Sequence, residues 1–324
     1  MTELGAVAGE SSTAFRVWAT RARRVEVRLF ADERRSTRDL PLEPEGDGLF
    51  GGRFPGVAAG ALYKFVLDGR EWPDPYARFL PFGVHGPAEV VARVRARPRA
   101  GPPPDRYVVY ELHVGAFTRE GTYAAAAERL DDLAELGVTA VELMPLSAAP
   151  GHRGWGYDGV AHFAPFAPYG RPERLRAFVE RAHALGLAVL LDVVYNHFGP
   201  SGNYLGEYAP EYFDPDVRTP WGAAPNFAHP RMRRYVLDNA RMWLDEYGFD
   251  GLRLDAVHAI HDRSRPHVVR ELCDLARSLE PARTVFAEDE RNDPAVVTEL
   301  GVDGVWADDF HHQTRVLLTG ERDG

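Results

Sequence analysis

Two charged side chains, Arg253 and Asp255, stand at the end of an apolar run within residues 248–258. Leucines at 252 and 254 alternate with them, and this period of two predicts a short buried strand with both charges on one face at its carboxyl end. One interpretation is a structural ion pair that holds the strand end. The other is a nucleophilic Asp255, kept ionised and oriented by Arg253. The second interpretation requires another carboxylate and a scaffold that brings the two acids together.

Glu288 supplies a second carboxylate, at the end of a later predicted strand, residues 284–288. Paired carboxylates are the equipment of glycoside hydrolysis, in which one attacks the anomeric carbon or stabilises its charge and the other protonates the leaving oxygen. The competing interpretation is that either acid only caps a following helix. The scaffold therefore decides between a chemical and a structural role.

The sequence after residue 105 repeats a unit made of an amphipathic helix, a stop and a short apolar strand. Helices are predicted at residues 127–136, 172–185 and 231–247, and six candidate strands alternate with the helical segments. Polar residues end five of these strands: His113, Asp192, Asp255, Glu288 and Asp308. Barrels pool the carboxyl ends of many strands, whereas an open sheet would carry a glycine-rich phosphate turn, and none follows these strands. The sequence therefore predicts a (β/α)₈ TIM barrel, truncated after about six strands.

The first part of the chain has a different sequence pattern, with strand signals and no helix signal. Residues 14–18, 25–30 and 62–67 are short runs of alternating apolar residues separated by Gly, Pro and Asp, which favours a small all-β sandwich. Residues 95–104 are rich in proline, which predicts an extended connector between the sandwich and the barrel. We expect an immunoglobulin-like, glycan-associated domain at residues 1–94, a linker at 95–104 and an incomplete catalytic barrel at 105–324.

The composition narrows the classes of partner. A net charge of −10 disfavours nucleic-acid binding, which needs clustered Lys and Arg. No stretch approaches the roughly 20 apolar residues of a membrane span, and no leader pattern opens the chain. The single Cys273 lies in a helical pattern and is predicted to be a buried apolar residue. We expect a cytoplasmic protein that needs no cofactor, binds no metal at its site and contacts neither nucleic acid nor membrane.

Four stretches resemble the α-amylase superfamily of retaining glycosidases, across nearly all of the chain after residue 105. They are residues 192–197 (Asp-Val-Val-Tyr-Asn-His), 251–258 (Gly-Leu-Arg-Leu-Asp-Ala-Val-His), Glu288, and 155–158 (Trp-Gly-Tyr-Asp). The resemblance implies that Asp255 is the nucleophile and that Glu288 is the acid/base. It also implies a set of sugar-binding residues: Tyr157, whose ring stacks on the sugar, Asp192, His197, Arg253 and His258. Taken singly, Asp192 or His197 could instead be a buried hydrogen-bonded residue.

Within the superfamily, the stretches most resemble enzymes that release trehalose from malto-oligosyltrehalose. Residues 109–122 are typical of them, although glycogen branching enzymes share much of that segment, while residues 287–292 and 307–312 discriminate better. The last segment implies substrate contacts from Asp308, Asp309, His311 and His312. A metal site at the adjacent histidines is the alternative for that pair. The implied partner is malto-oligosyltrehalose or a related α-glucan; the competing functions are glucan branching by transfer and non-catalytic glycan binding.

One departure from the superfamily pattern affects activity. The superfamily places a third acid after a His in a motif beyond the seventh strand, and the only His-Asp pair here, at 261–262, directly follows the nucleophile strand. We therefore expect the sequence to be the N-terminal part of a longer protein. We also expect that these 324 residues alone would bind the substrate weakly without turning it over. A structural calcium near Asn196 is left open.

Overall fold

The computed structural model describes residues 4–92 and 101–321. Its first part consists of two antiparallel sheets, in the orders β1-β2-β6-β5 and β4-β3-β7-β8, with β9 paired to β7. The nine strands are β1 (Gly5–Ala8), β2 (Ser12–Trp18), β3 (Val25–Phe30), β4 (Ser36–Pro41), β5 (Glu43–Gly46), β6 (Leu49–Pro55), β7 (Leu62–Leu67), β8 (Arg70–Trp72) and β9 (Ala88–Glu89). The predicted all-β sandwich is confirmed.

The alternating pattern of β2 explains how the sandwich forms. Its residues alternate between buried and half-buried positions, so that Phe15 and Val17 enter the core between the sheets. Tyr208, from the second part of the chain, joins the same apolar cluster and donates a hydrogen bond to the backbone oxygen of Pro73 over 2.8 Å. Trp18 packs edge-on against Tyr212 with ring centroids 4.9 Å apart. The sandwich is therefore packed directly against the helix and sheet layers that follow it.

Six of the ten residues of the predicted linker, 95–100, lie outside the described residues. The described remainder leads into a short 3₁₀ helix, Pro104–Arg106, and the Gly101 amide donates to Asp250 Oδ1 over 3.1 Å. The limits of the predicted domains, 1–94, 95–104 and 105–324, remain a prediction.

The second part is built on a parallel sheet of six strands in the order β10-β11-β14-β17-β18-β19. These strands are β10 (Val109–Leu112), β11 (Ala140–Leu143), β14 (Ala188–Val193), β17 (Gly251–Leu254), β18 (Thr284–Glu288) and β19 (Gly304–Trp306). Every residue of β11, β14 and β17 is buried, as expected of strands covered on both faces. The sheet curls into an incomplete (β/α) barrel, which confirms the predicted fold class.

Nine α-helices lie in the described part of the chain. They are α1 (Val114–Phe117), α2 (Tyr123–Ala127), α3 (Leu130–Leu136), α4 (Pro172–Ala184), α5 (Leu205–Tyr208), α6 (Pro230–Arg241), α7 (Val268–Arg277), α8 (Ala295–Thr298) and α9 (Asp308–Thr319). Further 3₁₀ turns lie at Ala167–Tyr169, Pro210–Tyr212 and Val257–Ala259. Cys273 is buried in α7, as predicted. None of the helices in residues 4–92 and 101–321 is long and apolar enough to cross a lipid bilayer.

Three helix and strand predictions were wrong in detail. The helix predicted at 127–136 is interrupted: α2 ends at Ala127 and α3 begins at Leu130. Gly137 caps α3, and its φ of 94° is a left-handed conformation suited to glycine. The helix predicted at 231–247 is α6 followed by a π-helix, Met242–Glu246. The strand predicted at 304–308 stops at Trp306, because Asp308 and Asp309 begin α9, where acidic side chains favour a helix N-terminus.

Two hairpins occupy the long loops that follow β11 and β14. The first pairs β12 (Ser147–Ala148) with β13 (Ala161–Pro165), and the second pairs β15 (Phe213–Thr219) with β16 (Gly222–Pro225). Both loops leave the carboxyl ends of parallel strands, so they stand on the rim where a barrel builds its site.

Candidate active site

Arg253 is the centre of the polar cluster at the carboxyl end of the sheet. Its Nη1 donates to Asp192 Oδ2 over 2.9 Å and to Asp255 Oδ1 over 3.1 Å, and its Nη2 lies 3.1 Å from Glu288 Oε2. The side chain is only 9% exposed. Burial opposes its charge, but the carboxylates of Asp192 and Glu288 hold the pKa of Arg253 above its usual value. One buried guanidinium therefore joins three carboxylates from three neighbouring strands.

The pairing of the strands explains this convergence. Asp192 is in register with Arg253 across β14 and β17, and Leu254 is in register with Ala287 across β17 and β18. Asp255 follows Leu254 and Glu288 follows Ala287, so the two acids lie side by side at the carboxyl end of the sheet. The two acids lie on opposite terminal nitrogens of the same guanidinium.

Asp192 is the most deeply buried of the three acids. Its Oδ2 also accepts a hydrogen bond of 2.8 Å from the hydroxyl of Tyr157, which reaches in from the β12–β13 loop. Burial raises the pKa of Asp192 to about 7, against the opposing effect of Arg253 and the Tyr157 hydroxyl. Burial and the charge of Asp192 raise the pKa of Tyr157, so this phenol remains a donor.

Asp255 is held from two sides. Asn196 Nδ2 donates to its Oδ2 over 2.9 Å, and to its backbone oxygen over the same distance, while Arg253 binds Oδ1. The carboxylate is thus oriented by two donors and stays partly accessible, at 14% side-chain exposure. This is an arrangement in which an ionised oxygen can attack an electrophilic carbon.

Glu288 is fixed by an unusual backbone turn. Ala256, directly after Asp255, has φ 41° and ψ 60°, a left-handed conformation that costs a non-glycine residue about 1–3 kcal/mol. In this conformation its amide donates to Glu288 Oε2 over 2.9 Å. The Glu288 side chain is 28% exposed, so the carboxyl group is accessible to exchange a proton with a ligand.

His197 forms the side wall of the cluster. Its Nε2 lies 3.0 Å from the Tyr157 backbone oxygen and its Nδ1 bonds Asn196 Oδ1. Burial lowers the pKa of His197, so the ring is neutral near pH 7. Its face stacks on Trp221, from the β15–β16 turn, with centroids 3.9 Å apart and planes at 14°. Trp221 is 46% exposed.

The structure brings together six of the predicted site residues: Tyr157, Asp192, His197, Arg253, Asp255 and Glu288. The other five make no hydrogen bond or ion pair with these six within residues 4–92 and 101–321. His258 lies on the 3₁₀ turn beyond Ala256, and its Nε2 is 3.7 Å from Glu290 Oε1 instead. The remaining predicted residues, Asp308, Asp309, His311 and His312, lie on α9.

The α9 residues make no hydrogen bond or ion pair with the six-residue cluster within the part of the chain that the structure describes. Asp309 accepts from the neighbouring Phe310 amide over 2.7 Å, and the rings of His311 and His312 lie 5.4 Å apart on an exposed surface. His311 and His312 are helical. Their predicted role in substrate binding stays a prediction.

Sequence reasoning missed four residues that shape the site. Asn196 was visible within the 192–197 motif but received no role, and Trp221 carried no signal beyond an aromatic residue in a long loop. The strain at Ala256 has no sequence signal, because alanine does not mark a left-handed turn. Glu142 could have been found, since it is a charged residue in the middle of an apolar strand.

Comparisons with known proteins identify both parts of the chain. The family model for the alpha amylase catalytic domain matches residues 88–214, and that for carbohydrate-binding module 48, the isoamylase N-terminal domain, matches residues 3–77. A crystal structure described as a putative alpha amylase from Salmonella typhimurium superposes with a TM-score of 0.92 at 39% identity, over 100% of this chain and 57% of that one.

Two curated relatives bear on the subgroup. A malto-oligosyltrehalose trehalohydrolase of Deinococcus radiodurans is 53% identical over 100% of this chain and 54% of its own length. A 1,4-alpha-glucan branching enzyme of Oleidesulfovibrio alaskensis is 34% identical over 77% of this chain and 44% of its own length. The chain spans about half the length of the curated relatives it matches. The chain belongs to the α-amylase superfamily of glycoside hydrolases and, within it, to the malto-oligosyltrehalose trehalohydrolase family.

Proposed function

We propose that this chain carries the nucleophile and the acid/base of an enzyme that cleaves the α-1,4-glucosidic bond next to the terminal trehalose of malto-oligosyltrehalose. The observation that carries the proposal is the guanidinium of Arg253, which bonds Asp192, Asp255 and Glu288 at once. Two acids so close together favour the retaining arrangement, in which the carboxyl groups are about 5–5.5 Å apart, over the wider inverting one.

Each side chain then has a defined task. The ionised Asp255 attacks the anomeric carbon while Glu288 gives its proton to the glycosidic oxygen, so that the carbon–oxygen bond breaks and trehalose leaves. Glu288, now ionised, takes a proton from water, whose oxygen attacks the same carbon and releases the malto-oligosaccharide from Asp255. Tyr157 offers an aromatic surface to the ring. Asp192, which has no exposed side-chain surface, accepts from the Tyr157 hydroxyl and from Arg253 and so holds both in place. Direct contacts of Asp192 and of the neutral His197 with the sugar hydroxyls remain predictions.

Glucan branching is the alternative that a specific observation favours, namely the match to a branching enzyme over 77% of the chain. Its first half-reaction is the same, but the acceptor in the second is a hydroxyl of another glucan instead of water. The higher identity to the trehalohydrolase over the whole chain supports hydrolysis.

The test is a product analysis with the full-length protein. Incubation with maltotriosyltrehalose is expected to give equal amounts of trehalose and maltotriose by proton NMR, and Asp255→Asn is expected to abolish both, since the amide keeps the shape but not the negative charge. An exposed variant on α3, Asp132→Asn, is the matched control. Incubation with amylose that yields α-1,6 linkages, and no trehalose from maltotriosyltrehalose, would establish branching. Binding without product would establish a glycan-binding protein.

Two further points belong to the same proposal. The sandwich, at the predicted residues 1–94, is a glycan-associated domain, which the match to a carbohydrate-binding module supports. We place the enzyme in the cytoplasm, and this location remains a prediction.

A further inference from the structure

Glu142 is a buried acid that the proposed mechanism does not use. It lies on β11, in register with Glu111 on β10 and with Leu190 on β14. Its side chain has no exposed surface, and neither carboxylate oxygen has a hydrogen-bond partner within residues 4–92 and 101–321. An ionised carboxylate in such a place is strongly disfavoured, and a group of this kind takes up a proton instead.

The nearest unsatisfied acceptor belongs to the active site. Asp192 follows Leu190 by two residues, so its side chain is on the same face of the sheet as Glu142. Its Oδ2 accepts from Tyr157 and Arg253, but Oδ1 is buried without a partner among the described residues. Oxygens of Glu111, Glu142 and Asp192 lie within 4.8 Å of one another. A single proton between Glu142 and Asp192 satisfies two buried groups at once.

The space between the carboxyl groups of Glu142 and Asp192 suits a shared proton better than a metal ion. A divalent cation such as calcium takes six to eight oxygen ligands, several of them water in most sites. Glu142 has no exposed surface through which water would complete such a shell. The shared carboxylate, Asp192, is also already bound to the positive charge of Arg253 at 2.9 Å, which would repel a second cation.

We propose that Glu142 is protonated in the working enzyme and donates a hydrogen bond to Asp192 Oδ1. Glu142 is thereby a positioning residue: it holds Asp192 ionised and oriented toward the Tyr157 hydroxyl and Arg253. This inference rests on the proposed function for its effect on catalysis, but the protonation itself does not. The titratable groups that act on Glu142 are Glu111, Asp192 and Arg253, from β10, β14 and β17. Burial, reinforced by the charge of Asp192, raises the pKa of Glu142 to about 8.

The direct test is a carbon NMR titration of the chain labelled with ¹³C at glutamate Cδ, with Glu142 assigned by the signal missing in Glu142→Gln. We expect the signal to sit in the protonated position at pH 6.5 and to titrate with an apparent pKa of about 8. The exposed Glu135 serves as the control, through Glu135→Gln. A Glu142 signal already in the ionised position at pH 6.5 overturns the proposal.

Kinetics of the full-length protein test the positioning role. Glu142→Gln retains a donor, so we expect its kcat/KM at pH 7 to stay within about threefold of wild type, with the loss of activity above pH 8 reduced. Glu142→Leu removes the donor, and we expect it to lose about tenfold or more in kcat/KM. Equal activity and equal pH profiles in all three proteins overturn the proposal. If Glu142→Leu does not fold, the glutamine variant and the NMR titration still decide. Absence of trehalose release by wild type would refute the proposed function and leave the NMR result intact.

Discussion

Replacement of Arg253 by methionine tests the electrostatic core of the site. The change removes the guanidinium from three carboxylates and keeps a side chain of similar length. Removal of one partner from a buried ion pair costs about 3–5 kcal/mol, because the other charge is left buried without compensation. Asp192, with 0% side-chain exposure, bears most of this cost. We expect Arg253→Met to lower the free energy of unfolding by about 3–5 kcal/mol.

The loss in free energy of unfolding caused by Arg253→Met should also depend on pH. The wild-type pKa of Asp192 is about 7, raised from its unfolded value, so its unfavourable contribution is complete above pH 7. Without Arg253 the folded pKa rises further, and the folded state holds its proton while the unfolded state has released it. Each pH unit above 7 then adds up to about 1.4 kcal/mol to the deficit until the new pKa is reached.

Urea unfolding at pH 6 and pH 8.5 measures both effects. The matched control is Arg28→Met, because Arg28 also pairs with two carboxylates, Asp39 and Glu71, but is 27% exposed. We expect the control to lose less than about 1 kcal/mol. An Arg253→Met deficit as small as that of the control, or one that is equal at the two pH values, would refute the account of Asp192.

Two further predictions concern histidine and tryptophan. His162 is buried, neither ring nitrogen has a hydrogen-bond partner among the described residues, and burial lowers its pKa to about 3. Only the unfolded state gains its proton below pH 6.5, so the free energy of unfolding should fall by about 2 kcal/mol from pH 7 to pH 5. Urea unfolding of His162→Phe should no longer show this fall in the free energy of unfolding between pH 7 and pH 5, whereas the control His312→Gln should still show it. An equal fall in both variants would contradict the assignment of the pH dependence to His162. Trp221→Ala should raise KM about 2- to 10-fold with a smaller change in kcat, since the ring that stacks on His197 is 46% exposed beside the site and can stack on a sugar. An unchanged KM would remove Trp221 from the site.

The sequence predicted the scaffold well because its strongest signals are periodic. Apolar runs such as residues 187–194 follow amphipathic helices, and no packing detail is needed to infer a parallel sheet from that alternation. The alternation around Arg253 and Asp255 also placed both charges on one face of a strand. The convergence of Asp192 and Glu288 on Arg253 then follows from the order of neighbouring strands.

What the sequence could not give depends on local backbone geometry and on tertiary burial. The left-handed turn at Ala256 is enforced by its surroundings, because alanine itself disfavours it. The unpaired oxygens of Glu142 are evident only once neighbouring strands are in register. The strand predicted to end at Asp308 stops at Trp306, because Asp308 and Asp309 form the acidic start of α9, which in the sequence looks the same as a polar strand end.

The central claim is that Asp255 forms a covalent bond to the anomeric carbon. The most direct test is to trap that intermediate in the full-length protein with a 5-fluoro-α-glucosyl fluoride, whose fluorine slows formation and hydrolysis of the glycosyl-enzyme by destabilising the oxocarbenium-like transition states. Peptide mass spectrometry should then locate the added sugar on the Asp255 carboxylate, with no label in Asp255→Asn. A sugar attached to Glu288 or to another side chain, or turnover with inversion and no trapped species, would contradict the account.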